Sequence, residues 1–224
     1  MSNPHPDHVV VVANGRLDRP IPLIAIVDAA DLVIAADGAA NWLAAQEREP
    51  DILIGDLDSV EPEVLAALQA KGCQIQRYSP HKDETDTELA LLEAVRRGAR
   101  EITLIGALGG RIDHELANIL LLTMPELHDT RTTIFDGHSY LWAIRDELTI
   151  CGQVGDTVSL LPLGGDAHGI VTEGLEYPLH GESLRMGPAR GVSNVLSEAQ
   201  AHIRVAQGWL LAIYTPLDGK GTAK

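Results

Sequence analysis

The chain has 224 residues, 45% of them hydrophobic, which is enough for a packed core in one large domain or two small ones. Its 17 Lys and Arg residues against 32 Asp and Glu residues give a formal net charge of −15, which repels nucleic-acid phosphates and anionic membrane surfaces. We therefore expect neither a nucleic acid nor a membrane as a partner.

The beginning of the chain is polar, and the apolar run at residues 9–13 is too short for a signal-peptide core or a membrane span. We therefore expect a cytoplasmic protein. The two cysteines, Cys73 and Cys151, lie far apart and have no metal-binding spacing. We interpret both as ordinary small apolar residues.

The first part of the chain, up to residue 137, alternates short apolar runs with longer amphipathic stretches. The predicted strands are residues 9–13, 32–36, 51–55, 73–78, 101–106 and 131–135, and the predicted helices are residues 39–48, 62–72, 86–98 and 113–123. Such alternation indicates βαβ units in a Rossmann-like α/β domain with a parallel sheet. Gly72 and Gly98 stand where helices are expected to end, and Thr85 with Glu88 predicts a capping box.

From residue 138 onward the pattern changes to short β-branched or aromatic runs separated by Gly, Pro and Asp. The predicted strands are residues 140–144, 147–150, 157–162, 169–172, 202–205 and 209–214. Because no long helix is predicted, the pattern favours a small antiparallel sandwich or barrel. The last residues, 218–224, are expected to form a loose tail.

Aspartates follow three predicted strands at the point where each strand ends. Asp37 follows the second strand, Asp56 and Asp58 follow the third, and Asp83 and Asp86 follow the fourth. Because the carboxyl ends of parallel strands meet at one ligand-binding edge, we expect these side chains to line one rim. Two carboxylates spaced two residues apart on extended backbone can share one Mg²⁺, which takes its other ligands from water and substrate phosphates. The alternative is that these aspartates only cap helices and form turns.

A glycine-rich segment at residues 106–114, Gly-Ala-Leu-Gly-Gly-Arg-Ile-Asp-His, joins a predicted strand to the next helix. Glycines let backbone N–H groups approach a phosphate, and Arg111 would add a forked donor. The segment matches no standard nucleotide-binding motif, so a turn with an exposed arginine is the alternative. His114 as a general base and Lys82 as a phosphate-neutralising cation are further hypotheses, beside solvent-facing roles for both.

Six motifs, in this order and at this approximate spacing, resemble the thiamine pyrophosphokinase family over nearly the whole chain. They are Ala-Asp-Gly-Ala-Ala-Asn at 36–41, Gly-Asp-Leu-Asp-Ser at 55–59, Lys-Asp-Glu-Thr-Asp at 82–86, Gly-Arg-Ile-Asp-His at 110–114, Thr-Glu-Gly-Leu-Glu-Tyr-Pro-Leu at 172–179 and Gly-Val-Ser-Asn at 191–194. The resemblance implies an α/β catalytic domain that binds ATP and Mg²⁺ at residues 1–137. It also implies a smaller antiparallel β-sandwich domain that binds thiamine at residues 138–224, and a homodimer with active sites near the subunit interface.

The resemblance further implies a Mg²⁺-dependent thiamine diphosphokinase, in which the thiamine hydroxyl attacks the β-phosphorus of ATP to give thiamine diphosphate and AMP. Carried over by motif, the metal and catalytic set is Asp56, Asp58 and Asp86, with Asp113 as a further catalytic residue; Asp86 and Asp113 are alternative proton acceptors. The ATP set is Asp37, Asn41, Lys82, Thr85, Arg111 and Asn118, although Asn41 could serve thiamine instead. The thiamine set is Ser193, Asn194 and Trp209.

Three alternatives stay open at this point. Trp209 is the candidate for stacking on the thiazolium ring, but a core or interface tryptophan would have the same pattern. An Asp-x-Asp pair also serves metal-dependent sugar-nucleotide transferases. A non-catalytic thiamine or nucleotide sensor could bind ligands at the same acidic rim.

Overall fold

The computed structural model describes residues 6–217. The chain divides into two compact units, residues 1–137 and residues 138–224. The division falls where the alternation of helices and strands gives way to strands alone.

A parallel sheet of six strands forms the centre of the first unit. The strands are β1 (His8–Val12), β2 (Leu32–Ala36), β3 (Ile52–Gly55), β4 (Gln74–Arg77), β5 (Glu101–Ile105) and β6 (Arg131–Phe135). Their order in the sheet is β4-β3-β2-β1-β5-β6, and every neighbouring pair is parallel. This confirms the predicted parallel α/β domain. The strand order reverses between β1 and β5, which is the position where open α/β sheets bind ligands.

Five helices and one short 3₁₀ turn connect these strands. They are α1 (Pro20–Asp28), α2 (Ala39–Ala45), α3 (Pro62–Lys71), α4 (Asp86–Arg96) and α5 (Ile112–Leu121), with the 3₁₀ turn at Pro125–Leu127. The sequence pattern did not predict α1, because prolines at its start and apolar residues on several faces obscure the helical period. Both prolines lie in the first turn, where no backbone N–H is needed, and only Leu23 and Val27 are buried.

The predicted helix ends are largely confirmed. The hydroxyl of Thr85 caps α4 by accepting a hydrogen bond from the backbone N–H of Glu88 at 3.1 Å. Gly72 and Gly98 adopt left-handed φ angles of 87° and 84° at or just beyond helix ends. The helix α2 is shorter than predicted, because Glu47 adopts a φ of 56° that ends it.

Antiparallel strands make up the second unit. They are β7 (Tyr140–Ile144), β8 (Glu147–Cys151), β9 (Thr157–Glu173), β10 (His180–Leu184), β11 (Asn194–Val195), β12 (Gln200–Arg204) and β13 (Gln207–Thr215). The strand β9 has 17 residues and merges the two strands predicted at 157–162 and 169–172. Its first part pairs with β13 and β11, and its second part pairs with β10 and β12. A single long strand therefore takes part in both sheets of this unit.

The core of the second unit contains alternating residues from these strands. Leu160, Ile170, Ile203 and Leu210 are all buried in it. The strand β10 was not predicted, because its sequence is mostly polar and only Leu184 is buried. No helix within residues 6–217 is long and apolar enough to cross a membrane. The tail predicted at residues 218–224 lies outside the described residues.

Candidate active site

A cleft of about 320 Å³ opens in the first unit, where the loops after β1 and β5 meet. The backbone N–H of Gly15 donates to the carbonyl of Gly106 at 2.7 Å, and that of Arg16 donates to the carbonyl of Leu108 at 2.7 Å. A Cβ atom at Gly15 would collide with the Gly106 carbonyl, so this approach requires glycine. The cleft is lined by Ala13, Asn14, Gly15, Ala36, Asp37, Ser59, Thr85, Asp86, Thr87, Gly106, Ala107, Gly110, Arg111, His114, Glu115 and Asn118.

Three carboxylates gather beside this cleft. Asp37, Asp56 and Asp58 each offer an oxygen within 4.8 Å of the other two. Asp37 follows β2 with a left-handed φ of 46°, and its backbone N–H donates to the carbonyl of Ile54 in β3 at 2.8 Å. One carboxylate oxygen of Asp37, Oδ1, is buried without a hydrogen-bond partner, as is Oδ1 of Asp86, which has an ion pair with Lys82 instead. An orphaned buried oxygen beside two further carboxylates is a donor set that suits a hard divalent cation.

Burial raises the pKa of Asp37 above its usual range, and the neighbouring charges of Asp86 and Asp56 raise it further. Hydrogen bonds from Ser59 and from the backbone of Gly38 act in the opposite direction on that pKa. A bound cation would favour the charged form of this carboxyl.

Asp86 lies on the same wall of the cleft but outside the group of three. Its Oδ1 is 2.7 Å from Lys82 Nζ, and the two side chains are only 24% and 14% exposed. A Cβ atom at Gly55 would lie 3.0 Å from Asp37 Cβ and 3.3 Å from Asp86 Cγ, so both carboxyl groups crowd the same glycine. Asp37 therefore joins Asp56 and Asp58 in the group of three, Lys82 supplies Asp86 with a cationic partner, and the metal role suggested for Asp86 stays a prediction.

Arg111 and Asp113 pair with each other at the start of α5. Arg111 Nη2 lies 2.6 Å from Asp113 Oδ2, and both side chains are largely exposed. The hydrogen bond from Arg111 lowers the pKa of Asp113. Because an exposed ion pair contributes little to stability, Arg111 can exchange this partner for a phosphate at small cost.

Three further predicted ATP contacts also make hydrogen bonds inside the protein. Asn118 is buried and its Nδ2 donates to the carbonyl of Ala107 at 2.8 Å, which fixes the glycine-rich loop. The amide of Asn41 bonds to the backbone of Ser59 and Glu61. The hydroxyl of Thr85 accepts the capping bond in α4.

Asn14 lines the cleft and was missed by sequence reasoning. It stands two residues after the end of β1, and its side chain lies against Gly38, where a Cβ atom would collide with the amide nitrogen of Asn14. The Asn14-Gly15 pair immediately after the first predicted strand was the available signal, since Asn-Gly marks a tight turn.

In the second unit, a hollow of about 130 Å³ lies beside Asn194. The amide of Asn194 pairs with the backbone of Tyr177, donating to its carbonyl at 2.8 Å and accepting from its N–H at 3.1 Å. Ser193 is exposed and adopts a φ of 61°. The described lining of the hollow includes Tyr177, Arg190 and Asn194 but neither Ser193 nor Trp209. Trp209 lies on β13 with the guanidinium carbon of Arg145 5.8 Å from its ring centroid.

Comparison with known proteins gives consistent matches. The profile described as thiamin pyrophosphokinase, catalytic domain, matches residues 23–135, and that described as thiamin pyrophosphokinase, vitamin B1 binding domain, matches residues 147–210. Thiamine pyrophosphokinase 1 of Oryza sativa subsp. japonica is 31% identical over 90% of this chain and 88% of its own length. Thiamine pyrophosphokinase of Bacillus subtilis (strain 168) is 26% identical over 91% of this chain and 96% of its own length.

Solved structures agree. The crystal structure of thiamine pyrophosphokinase from Bacillus subtilis superposes with a TM-score of 0.84 at 25% identity, covering 93% of this chain and 99% of that one. The structure of thiamin pyrophosphokinase from Geobacillus thermodenitrificans superposes with a TM-score of 0.82 at 27% identity, covering 96% and 100%.

Proposed function

Because the chain belongs to the thiamine pyrophosphokinase family, a family of diphosphotransferases, we propose that it makes thiamine diphosphate and AMP from thiamine and ATP, with Mg²⁺. The observation that carries the proposal is the group formed by Asp37, Asp56 and Asp58 beside a glycine-rich loop. Carboxylates that gather next to a phosphate-compatible loop suit a metal-bound polyphosphate.

Asp37, Asp56 and Asp58 would hold the Mg²⁺, and the orphaned Asp37 oxygen fits that role. When bound, Mg²⁺ supplies positive charge that neutralises the ATP phosphates and offsets the mutual repulsion of the carboxylates. This proposed ligand set contains Asp37, whereas the motif-based set contains Asp86, which lies beside the group of three.

Residues of the chain would orient the phosphates and accept the proton. Arg111 and the backbone of the glycine-rich loop would bind phosphate oxygens, and Lys82 would add a second cation. A bond forms between the thiamine oxygen and the β-phosphorus, while the bond from that phosphorus to the bridging oxygen of the α-phosphate breaks and AMP leaves. We assign the hydroxyl proton to Asp86 rather than Asp113, because Asp86 lines the cleft.

The second unit would bind thiamine at the hollow beside Asn194. The match of residues 147–210 to a vitamin B1 binding domain supports this assignment. Asn194 holds the segment at Tyr177 through two hydrogen bonds, so it would shape this site as well as contact the ligand.

A homodimer is also proposed, and the exposed face of α5 supports it. Ile112, Leu116 and Leu120 are 74%, 58% and 52% exposed and are spaced four residues apart, so they form one apolar stripe. Such a stripe is typical of a buried subunit interface. Light scattering on the Leu116→Glu variant should then report a monomer where the parent protein is a dimer.

The test of the activity is to incubate the purified protein with thiamine, ATP and Mg²⁺ and to identify the products. We expect AMP and thiamine diphosphate in equal amounts. ADP in place of AMP would reject pyrophosphoryl transfer. A sugar-nucleotide transferase would consume a sugar nucleotide without forming AMP, and a sensor would bind ligand without turnover.

A further inference from the structure

Both ends of the Asn41 side-chain amide bind the backbone of the loop that carries Asp56 and Asp58. Asn41 Nδ2 donates to the carbonyl oxygen of Ser59 at 2.8 Å. Asn41 Oδ1 accepts a hydrogen bond from the backbone N–H of Glu61 at 2.9 Å. A single side chain therefore fastens the far end of this loop to the first turn of α2.

The loop needs such a fastening. Asp56 and Asp58 stand within 4.8 Å of Asp37, so three like charges repel one another when no cation is bound. Leu57, between the two aspartates, is buried and adopts a left-handed φ of 68°, which costs free energy for a residue other than glycine. Repulsion and backbone strain both favour an open loop.

Two other hydrogen bonds near the two aspartates are internal to the loop, whereas the Ser59 side chain also bonds to Asp37, just before α2. Asp58 N–H donates to Asp56 Oδ1 at 3.1 Å, and Ser59 Oγ donates to Asp58 Oδ1 at 2.8 Å. These bonds set the shape of the loop but do not tie it to α2. Because Asn41 stands four residues after Asp37, its two bonds connect the segment that carries Asp37 to the loop that carries Asp56 and Asp58.

We propose that Asn41 is a positioning residue that holds Asp56 and Asp58 against Asp37, so that the three carboxylates are pre-arranged for a divalent cation. This role rests on the proposed metal site. It differs from the ATP contact that the motif suggested for Asn41, because both functional ends of the amide are engaged by the protein. Asn41 acts on the affinity for metal and not on the chemical step.

The first test is direct titration of the metal-free protein with Mn²⁺, followed by calorimetry. The Asn41→Leu variant keeps the size of the side chain and removes both hydrogen bonds. Loss of a residue that supports metal ligands typically weakens metal affinity by roughly 10- to 100-fold. We expect that loss of Mn²⁺ affinity for Asn41→Leu. Gln46→Ala, at the other end of α2, is the matched control and should bind Mn²⁺ normally.

A second pair of variants removes the partner and leaves Asn41 in place. Glu61 has a φ of −59°, which proline adopts readily, and it precedes α3. Glu61→Pro deletes the N–H that Asn41 Oδ1 accepts, whereas Glu61→Ala keeps it. We expect weaker Mn²⁺ binding for Glu61→Pro alone, which keeps the test valid if Asn41→Leu does not fold.

The possible results separate the two claims. Weaker binding by both Asn41→Leu and Glu61→Pro, or by the one of them that folds, supports the positioning role when Gln46→Ala and Glu61→Ala bind normally. Normal Mn²⁺ binding by a folded Asn41→Leu or Glu61→Pro variant would overturn that role and leave the proposed function intact. A parent protein that binds Mn²⁺ no better than Asp56→Asn would overturn the metal site and the positioning role together.

Discussion

Lys82 Nζ lies 2.7 Å from Asp86 Oδ1, in an ion pair that is mostly shielded from solvent at the wall of the cleft. Lys82 therefore brings a positive charge to the wall of the cleft. The ion pair holds the Asp86 side chain at the wall of the cleft, and the proposed role of Lys82 is to neutralise an ATP phosphate there.

Replacing Lys82 by Met should therefore impair the reaction strongly. Removal of a preorganised charged donor costs on the order of 100-fold in kcat/KM, and Lys82→Arg should recover part of it. Steady-state kinetics at varied ATP measures this. The control is Lys71→Met, which removes a lysine from the exposed pair with Glu49 on α3. An equal effect of both substitutions would show that Lys82 has only a general electrostatic influence.

Gly55→Ala should disrupt the site without unfolding the protein. Gly55 has a φ of 151°, and an added Cβ would meet Asp37 and Asp86 at 3.0 and 3.3 Å. A displacement of reacting groups by about 1 Å can cost roughly 100-fold in rate, so we expect a loss of that size in kcat. Gly72→Ala is the matched control, because its left-handed φ costs about 1 kcal/mol of stability while the space around it is open. Full activity of Gly55→Ala would place the chemistry elsewhere.

Arg111 should contribute to ATP binding in the first unit. Because its partner Asp113 is exposed, Arg111 can exchange this partner for a phosphate. The Arg111→Ala variant should therefore have a KM for ATP that is roughly tenfold higher. Arg100→Ala removes a similarly exposed arginine, paired with Asp7 next to the start of β5, and serves as the control. If Arg111→Ala and Arg100→Ala have the same KM for ATP, Arg111 acts only through the net charge of the protein.

Asp37→Asn should stabilise the metal-free protein at neutral pH while it abolishes activity. Burial raises the pKa of Asp37 in the folded state above the unfolded value of 3.8. A carboxyl with a raised folded pKa favours folding while it is protonated, and this contribution is lost as the pH rises from the unfolded pKa through the folded one. Melting temperatures in EDTA should therefore differ little near pH 3 and diverge toward pH 8, with the variant higher. A variant that melts lower than the parent protein at pH 8 would contradict this account.

Glu93 has the opposite pH dependence. Burial alone would raise its pKa, but hydrogen bonds from Arg96, Arg97 and Gln76 lower it to about 2. Its contribution to stability is therefore present above the unfolded pKa of 4.5 and is lost as the pH falls toward about 2. Glu93→Gln should cost roughly 2 kcal/mol in the free energy of unfolding at pH 7, measured with urea, and much less near pH 2. A cost independent of pH would show that shape and not charge matters at this position.

Much of the fold follows from local patterns. Strand ends, glycine caps and the change of texture at residue 138 depend on short-range periodicity and turn chemistry, and they recur in the structure. The helix α1 was not predicted because its prolines suggest a loop, although they occupy the first turn of the helix. The polar strand β10 was not predicted because its stability depends on pairing with β9. These features depend on tertiary contacts that no local window contains.

The same division applies to the site. The order of strands and motifs predicted that Asp37, Asp56, Asp58, Asp83 and Asp86 line one edge. Asp83 is exposed and is not part of the described cleft lining. Which of the aspartates lie close enough to bind one cation depends on the left-handed φ of Asp37 and on the lysine that pairs with Asp86. Backbone angles and side-chain partners of this kind are set by the folded environment, so the motifs alone do not decide between Asp37 and Asp86 as a metal ligand.

The most direct measurement uses ATP labelled at its β-phosphorus, with thiamine, in the presence and absence of Mg²⁺. We expect the label to move to thiamine diphosphate only when Mg²⁺ is present, with one AMP formed for each transfer, and we expect Asp56→Asn to abolish the transfer. Formation of ADP, or undiminished transfer by Asp56→Asn, would contradict the proposed function.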